Sequence, residues 1–199
     1  MAQVLKEEVR ERIVKAATLE FFEKGFESSS LRKIARDAGI TPGNLYRYFD
    51  NKEALYESIV GESYRKLNHI LMKNSDNKLK INDVPTPEML DDLRSENQGK
   101  VANRVIQEVI EVFGDNRMAL LILLKDDRAD FVMNTRFGLL DWFKSQLTMI
   151  YGNEELAKDL AYSFTEGLIK IGMDESDRLR ERLEAFVQFF YMRGLKDNE

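Results

Sequence analysis

At 199 residues the chain is long enough for one or two compact domains with a hydrophobic core, and its lack of cysteine excludes disulfides, thiolate metal sites and cysteine nucleophiles. All of the net charge of −5 lies beyond residue 60, because residues 1–60 carry ten basic and ten acidic side chains. The longest apolar run, Met118–Leu124, is far below the ~20 residues that cross a bilayer, and the charged N-terminus lacks a signal-peptide core. We therefore expect a soluble cytoplasmic protein without membrane contact.

The first predicted element is a helix over residues 7–24. Its apolar residues recur at helical spacing along one stripe. These residues are Val9, Ile13, Ala16, Ala17 and Phe21. Gly25 is expected to end the helix, because glycine adopts left-handed backbone angles without steric penalty.

Residues 28–56 predict a helix-turn-helix. Ser30 is a good N-cap for a helix over residues 31–38, and Gly39 follows where that helix would end. Thr41 then caps a second helix whose first residue is Pro42, where a missing N–H costs nothing. The spacing predicts two short helices joined by a tight turn.

Angles within the second helix predict which side chains face outward. An advance of about 100° per residue puts Leu45 and Phe49 together on the core side. Opposite them, the outermost side chains would meet base edges in a DNA major groove, and flanking hydroxyls would meet phosphates. Gly43 would let the backbone come close. The predicted outward set is Gly43, Asn44, Tyr46, Arg47 and Tyr48.

The next helix is expected from about Asn51 to Met72, leaving the DNA-binding core for the following domain. Asp50 is its predicted N-cap, with Glu53 completing a capping box. Lys52 falls in the first turn, where a cation opposes the helix dipole, so a phosphate partner would explain it better than helix stability. A solvated lysine is the equally open alternative.

Beyond that helix, periodicity remains helical and no segment alternates like a strand, so the predicted fold class is all-α. A polar loop is expected over residues 73–80, a short helix over 88–95 and a long helix over 128–151. Two more helices are expected over 154–172 and 175–193. The chain divides into predicted domains at 7–67 and 68–199.

The last two helices have more apolar width than one small core needs. Small residues Ser163, Gly167 and Ala185 would permit close approach, so two copies could close a four-helix interface by two-fold symmetry. An internal core stripe is the alternative. Aromatic residues in the same half could line a largely apolar pocket for a neutral or cationic small molecule, or could be simple core. The candidates are Phe113, Phe137, Trp142 and Tyr162.

Enzymatic chemistry finds little support in the sequence. His69 is the only histidine, and no glycine-rich phosphate loop occurs. Paired carboxylates such as Asp91 and Asp92 are adjacent in sequence and so do not share a helical face. We predict no catalytic residue, no cofactor and no metal site.

The strings RIVKAATLEFFEKGF and SSSLRKIARDAGITPGNLYRYFDNKEALY resemble the DNA-binding domain of TetR (tetracycline-repressor-like) family transcriptional regulators over about residues 7–67. The resemblance implies an all-α homodimer with an N-terminal three-helix reader, a C-terminal helical effector-binding and dimerisation domain, and an interface on the last two helices. It also implies phosphate contacts at Ser29 and Ser30. The other implied DNA-contact positions are Thr41, Pro42, Asn44, Tyr46, Arg47, Tyr48 and Lys52.

The resulting hypothesis is a homodimeric repressor that binds an inverted-repeat operator and is released by a small-molecule effector. Two reader helices would enter successive major grooves about 34–36 Å apart, or with a wider separation. The alternative is a helical ligand-sensing or interaction protein that acts as an activator or does not bind DNA. The intact outward set argues against loss of DNA binding.

Overall fold

The computed structural model describes residues 2–75, 96–126, 128, 135–174 and 178–196. Within these ranges the regular structure is entirely helical, which confirms the all-α prediction. None of the helices described is long and apolar enough to cross a membrane. The predicted helix over 88–95 and most of the loop over 73–80 lie outside the described residues. The helices are α1 (Ala2–Ser28), α2 (Leu31–Asp37), α3 (Pro42–Leu45), α4 (Lys52–Ser75), α5 (Glu96–Lys125), α6 (Thr135–Tyr151), α7 (Glu154–Gly172) and α8 (Leu179–Lys196).

Helix α1 is interrupted where the sequence indicated. Gly25 has φ 71° and ψ 175°, so the helical direction breaks there before helical geometry resumes up to Ser28. The left-handed φ is one that a residue with a Cβ adopts at a cost, which explains glycine at this position. The helix begins earlier than predicted, at Ala2.

Further predicted boundaries are wrong, among them those of the last helix, which was expected over 175–193 and spans Leu179–Lys196. The long helix expected to start at Arg128 begins at Thr135, and Arg128 itself is not helical. Helix α4 continues to Ser75, so residues 73–75 belong to it and not to a loop. The bounds of α7 agree with the predicted 154–172.

The described residues form two hydrophobic cores. The first core is formed by helices α1, α2, α3 and α4. It also includes residues from the C-terminal half of α5, among them Ile122 and Leu123. The second lies among α4 to α8 and includes Trp142 and Phe164. Burying these apolar side chains supplies most of the favourable free energy of folding.

Helix α4 belongs to both cores without interruption. Leu55 and Tyr56 near its start are fully buried in the first core, while Leu67 and Ile70 lie in the second. The predicted boundary between residues 67 and 68 therefore falls inside a continuous helix, and the division into two domains remains a prediction. A rigid helix anchored in both cores can transmit a displacement from one to the other.

Helices α7 and α8 pack closely at Gly167. A Cβ at that position would overlap the ring of Phe186 on α8. Phe186 in turn stacks near Phe164, with 5.3 Å between ring centroids. On the outer side of the pair, Tyr162 and Phe189 are each 54% exposed. Each of the two helices thus has an inner apolar side and at least one large apolar residue on its surface.

Candidate nucleic-acid interface

The start of α2 is held by a buried carboxylate of α1. Glu20 is 3% exposed, and it accepts the Ser30 backbone N–H at 3.2 Å and the Lys33 ammonium at 2.6 Å. Lys33 also pairs with Asp37 at 3.1 Å, and its hydrogen bonds to Glu20 and Asp37 raise the pKa of Lys33. A buried charge is tolerated when it is paired in this way. Glu20 therefore fixes the angle between α1 and α2.

Ser30 and Gly39 delimit α2 as the sequence predicts. The Ser30 Oγ accepts the Lys33 backbone N–H at 3.4 Å, which is the N-cap bond. Gly39 has φ 70°, and the N–H of Ile40 bonds to the Ala35 carbonyl at 2.9 Å. The left-handed glycine closes the helix and redirects the chain into the turn.

Helix α3 is short. Thr41 Oγ1 accepts the Asn44 backbone N–H at 3.2 Å, Pro42 is the first helical residue, and regular helix ends at Leu45. The following residues continue in hydrogen-bonded turns, since the N–H of Phe49 still reaches the Leu45 carbonyl at 3.1 Å. The backbone therefore continues along the helix axis up to Phe49, although α3 itself is only one turn long.

The predicted inward side of this segment is observed, and the predicted outward side is observed at Gly43, Tyr46 and Arg47. Leu45 is fully buried and Phe49 is 6% exposed in the first core. Tyr46 is 53% exposed. The predicted DNA-contact positions of residues 41–48 divide into exposed and half-buried residues. Thr41, Pro42, Gly43, Tyr46 and Arg47 are exposed, while Asn44 and Tyr48 are half-buried.

Ser29 and Lys52 are engaged with the end of α1. Ser29 is 8% exposed, and its hydroxyl donates to the Phe26 carbonyl at 2.6 Å. Lys52 donates to the Glu27 carbonyl at 3.1 Å, and its ammonium lies 4.6 Å from the centre of the Phe26 ring. Burial lowers the pKa of Lys52. Both residues thus have structural partners in the protein.

The cap of α4 is Asn51 and not Asp50. Asn51 Oδ1 accepts the Ala54 backbone N–H at 2.7 Å, and the Leu55 N–H reaches the Asn51 carbonyl. The predicted capping box of Asp50 with Glu53 is therefore wrong by one residue. Because adjacent Asp and Asn both favour the N-cap position, local propensity could not separate them.

The pocket candidates whose side chains are described differ in exposure. Phe113 is 1% exposed and Trp142 is 9% exposed, and both lie in the second core. Tyr162 is more than half exposed on α7, and the side chain of Phe137 lies outside the described residues. The indole N–H of Trp142 is buried without a hydrogen-bond acceptor among the described residues.

Three residues with structural roles in this region were not predicted, namely Glu20, Asp126 and Arg128. Asp126 accepts the Tyr56 hydroxyl at 2.6 Å and the Arg128 Nε at 2.8 Å, joining the end of α5 to α4. One signal for Glu20 existed, because an acidic residue on the stripe of Ile13 and Phe21 must find a partner when buried. Nothing in the spacing of residues 56, 126 and 128 indicated that they meet.

Gly43 offers a test of close backbone approach. Nothing lies within 4 Å of a Cβ built at Gly43, so Gly43→Ala should leave the free energy of unfolding unchanged or raise it by up to about 1 kcal/mol. A methyl group inserted into a closely packed protein–DNA interface should instead weaken DNA binding by about 1–3 kcal/mol. Thermal unfolding and DNA titration measure the two effects.

Gly114→Ala is the matched control, because its Cβ would also meet nothing within 4 Å and it lies on α5. We expect it to leave DNA affinity unchanged. Equal DNA affinity for Gly43→Ala and the wild-type protein would show that the backbone at residue 43 stays away from the nucleic acid.

Comparisons with known proteins agree with this geometry. Residues 13–59 match the family described as bacterial regulatory proteins, tetR family. IcaR, the biofilm operon icaADBC HTH-type negative transcriptional regulator of Staphylococcus aureus strain Newman, is 35% identical over 66 residues, which are 33% of this chain and 36% of IcaR. The HTH-type transcriptional regulator UidR of Escherichia coli strain K12 is 45% identical over 51 residues, 26% of each chain. The chain thus matches only about a third or less of these curated relatives.

One solved structure extends the likeness beyond the N-terminal region. A TetR-like transcriptional regulator from Rhodococcus sp. RHA1 superposes with a TM-score of 0.51 and covers 96% of this chain and 97% of its own. Sequence identity in that superposition is 17%, so this likeness concerns the fold alone. The helical arrangement of both halves is therefore an arrangement already seen in a TetR-like protein.

Proposed function

We propose that this chain, whose residues 13–59 match the tetR family of bacterial regulatory proteins, is a cytoplasmic, DNA-binding transcriptional repressor without enzymatic activity. The observation that carries the proposal is the surface of the turn-linked α2 and α3. Leu45 and Phe49 lock this segment into the first core, and Tyr46 and Arg47 are directed to solvent. Because the backbone of this segment is already fixed, it can enter a major groove with little further loss of backbone conformational entropy.

Individual roles follow from position and exposure. Arg47 would read a base edge, while Tyr46 and Tyr48 would donate their hydroxyls to phosphates. Lys52 and the exposed Ser30 would hold the DNA backbone. The Ser29 hydroxyl donates to the Phe26 carbonyl. We therefore propose that Ser29 stabilises the connection between α1 and α2, and that Ser30 makes the phosphate contact. Thr41, Pro42, Gly43 and Asn44 would face the groove.

Selection of DNA from a random pool by the purified protein tests the proposal. Enrichment of an inverted repeat, bound with an affinity that falls steeply with salt, is the expected result. A pool without enrichment would contradict the proposal and favour a helical sensing or interaction protein that does not bind DNA.

We further propose that two copies assemble through α7 and α8. A charge at the exposed Phe189 should then break the dimer, so Phe189→Asp should sediment as a monomer and lose about 10²-fold or more in operator affinity. Leu19, which is 52% exposed on α1, provides the matched control. Leu19→Asp should remain dimeric. A Phe189→Asp protein that stays dimeric would place the interface elsewhere.

An effector site in the second core is the remaining part of the proposal. The buried indole N–H of Trp142, together with the apolar surroundings of Phe113, suits a largely apolar small molecule carrying one hydrogen-bond acceptor. Trp142 is the only tryptophan of the chain, so its fluorescence would report binding in a compound screen. Compounds that release operator without changing this fluorescence would contradict a site at Trp142.

Release by an effector would follow from its preference for one dimer form. A ligand shifts the equilibrium only by its differential affinity for the two forms. Helix α4 has residues in both cores. It would transmit the conformational change to the helix-turn-helix of each subunit and alter the separation of the two. Structures of the free and effector-bound dimer with unchanged separation of the two readers would contradict this mechanism.

A further inference from the structure

Two cations from distant parts of the chain contact the same aromatic ring. The Lys52 ammonium is 4.6 Å from the centre of the Phe26 ring, and the Arg128 guanidinium carbon is 3.7 Å from it. Lys52 belongs to the first turn of α4, whereas Arg128 follows α5. A ring face attracts cations through its quadrupole, so the position of the ring affects both.

The Lys52 ammonium is held in a defined place and still has N–H donors available. Its ammonium donates to the Glu27 carbonyl at 3.1 Å. An ammonium has three N–H donors, so this bond leaves donors for a phosphate. The carbonyl and the Phe26 ring together preorganise the charge, which reduces the entropy that a phosphate contact must overcome.

Arg128 is fixed from two sides. Its guanidinium makes two hydrogen bonds to the Asp126 carboxylate, and that carboxylate also accepts the hydroxyl of the fully buried Tyr56. Burial by itself raises the pKa of Asp126, but hydrogen bonds from Arg128 and Tyr56 outweigh it and hold that pKa below its usual value. The carboxylate is therefore charged at neutral pH, and the guanidinium stays over the ring.

Phe26 is held by the same group of residues. The Tyr56 ring meets it edge-on, with 5.2 Å between centroids and an interplanar angle of 85°. Phe26 follows the break at Gly25, in a stretch where backbone direction is not set by the preceding helix. Its carbonyl also accepts the Ser29 hydroxyl, so displacement of Phe26 would disturb the joint that leads into α2.

We infer that Arg128 is a positioning residue for DNA binding, which acts through the shared Phe26 ring on the phosphate-contacting Lys52. This inference rests on the proposed function. Helix α5 contributes Leu120 and Leu124 to the second core. A change in that core that shifts α5 would therefore also shift Arg128, and through the Phe26 ring it would change the position of Lys52. The end of α5 thus tunes an electrostatic contact with DNA, in addition to the change in separation of the two DNA-binding domains that α4 would carry.

A double-mutant cycle on operator affinity tests the inference. Arg128→Gln should weaken operator binding by about three- to tenfold per subunit, in line with the strength of a partly buried cation–π contact. Lys52→Gln should lower the slope of log affinity against log salt by about one per subunit. In the Lys52→Gln background, Arg128→Gln should weaken operator binding no more than the loss of one positive charge does at a control position.

Lys125→Gln supplies that charge-loss control. Lys125 also lies at the end of α5, but it contacts a different ring, 4.2 Å from the centre of Phe22, and donates to the Phe22 carbonyl. We expect its loss to change affinity by less than about twofold. Arg128→Lys keeps a cation for the ring and should recover at least half of the lost affinity, on a logarithmic scale. Circular dichroism and thermal unfolding check that each variant is folded, and Phe26→Leu replaces Arg128→Gln in the cycle if that variant does not fold.

The failure of this inference can be told from the failure of the proposed function. A wild-type protein that enriches no DNA sequence contradicts the function itself. A wild-type protein that binds its operator, with equal effects of Arg128→Gln in both Lys52 backgrounds, overturns only the inference. Failure of Arg128→Lys to recover affinity, or an equal loss for Lys125→Gln, would overturn it as well.

Discussion

Arg47→Ala is expected to weaken operator binding by about 1–3 kcal/mol per subunit and to relax sequence preference at one position of each half-site. The expectation follows from the exposure of Arg47 on a segment whose opposite side, Leu45 and Phe49, is buried. A guanidinium can donate two parallel hydrogen bonds to the O6 and N7 atoms of guanine, and alanine can donate none. Binding measured on operators substituted at every position gives both the loss and the site of relaxation.

The pattern of loss across sequences decides what Arg47 contacts. A loss that is equal on all sequences would mean a phosphate contact and would contradict base recognition. Arg180→Ala, which removes the same charge from α8, should leave the preference unchanged. Folding should be unaffected in both variants, because each residue is exposed.

Phe164→Ala should have the largest effect on stability, lowering the free energy of unfolding by about 3–5 kcal/mol. Phe164 is 2% exposed at the centre of the second core. Its ring centroid is 4.0 Å from that of Phe143 and 5.3 Å from that of Phe186, so it ties α6, α7 and α8 together. Truncation leaves a cavity whose lining loses its contacts. Denaturant titration followed by circular dichroism measures the change.

Leu156→Ala is the control for position on the same helix. Leu156 is 43% exposed on α7, and its truncation should change the free energy of unfolding by about 0.5 kcal/mol or less. A loss below about 1 kcal/mol for Phe164→Ala would contradict a core packed around this ring. Because α7 also belongs to the proposed dimer interface, Phe164→Ala should weaken operator binding indirectly, in proportion to the dimer lost.

Local chemistry explains why the helix-turn-helix was predictable. Ser30 and Thr41 accept the backbone N–H groups that an N-cap must satisfy, and Gly39 takes the left-handed φ that ends α2. Each of these devices involves residues within four positions of one another. The inward and outward sides of residues 42–49 followed from helical periodicity, although regular helix ends at Leu45.

Predictions were wrong where two neighbouring residues have nearly equal local propensities, or where a residue distant in sequence determines the local structure. Asn51 caps α4 in place of its neighbour Asp50, since both side chains favour that position. Arg128 was expected to begin a helix, but Arg128 is not helical, and a bidentate contact with Asp126 holds its guanidinium over Phe26.

The sequence by itself determined the all-helical class, the caps and the turn of the reader, and the residues that face away from its core. These depend on backbone angles and periodicity within a few residues. The tertiary structure alone decided that Lys52 would be anchored to the end of α1, that Glu20 would be buried beneath α2, and that Asp126 and Arg128 would meet Tyr56 and Phe26. Such contacts join residues up to 102 positions apart, between Phe26 and Arg128, and they form only when hydrophobic burial brings separate helices together.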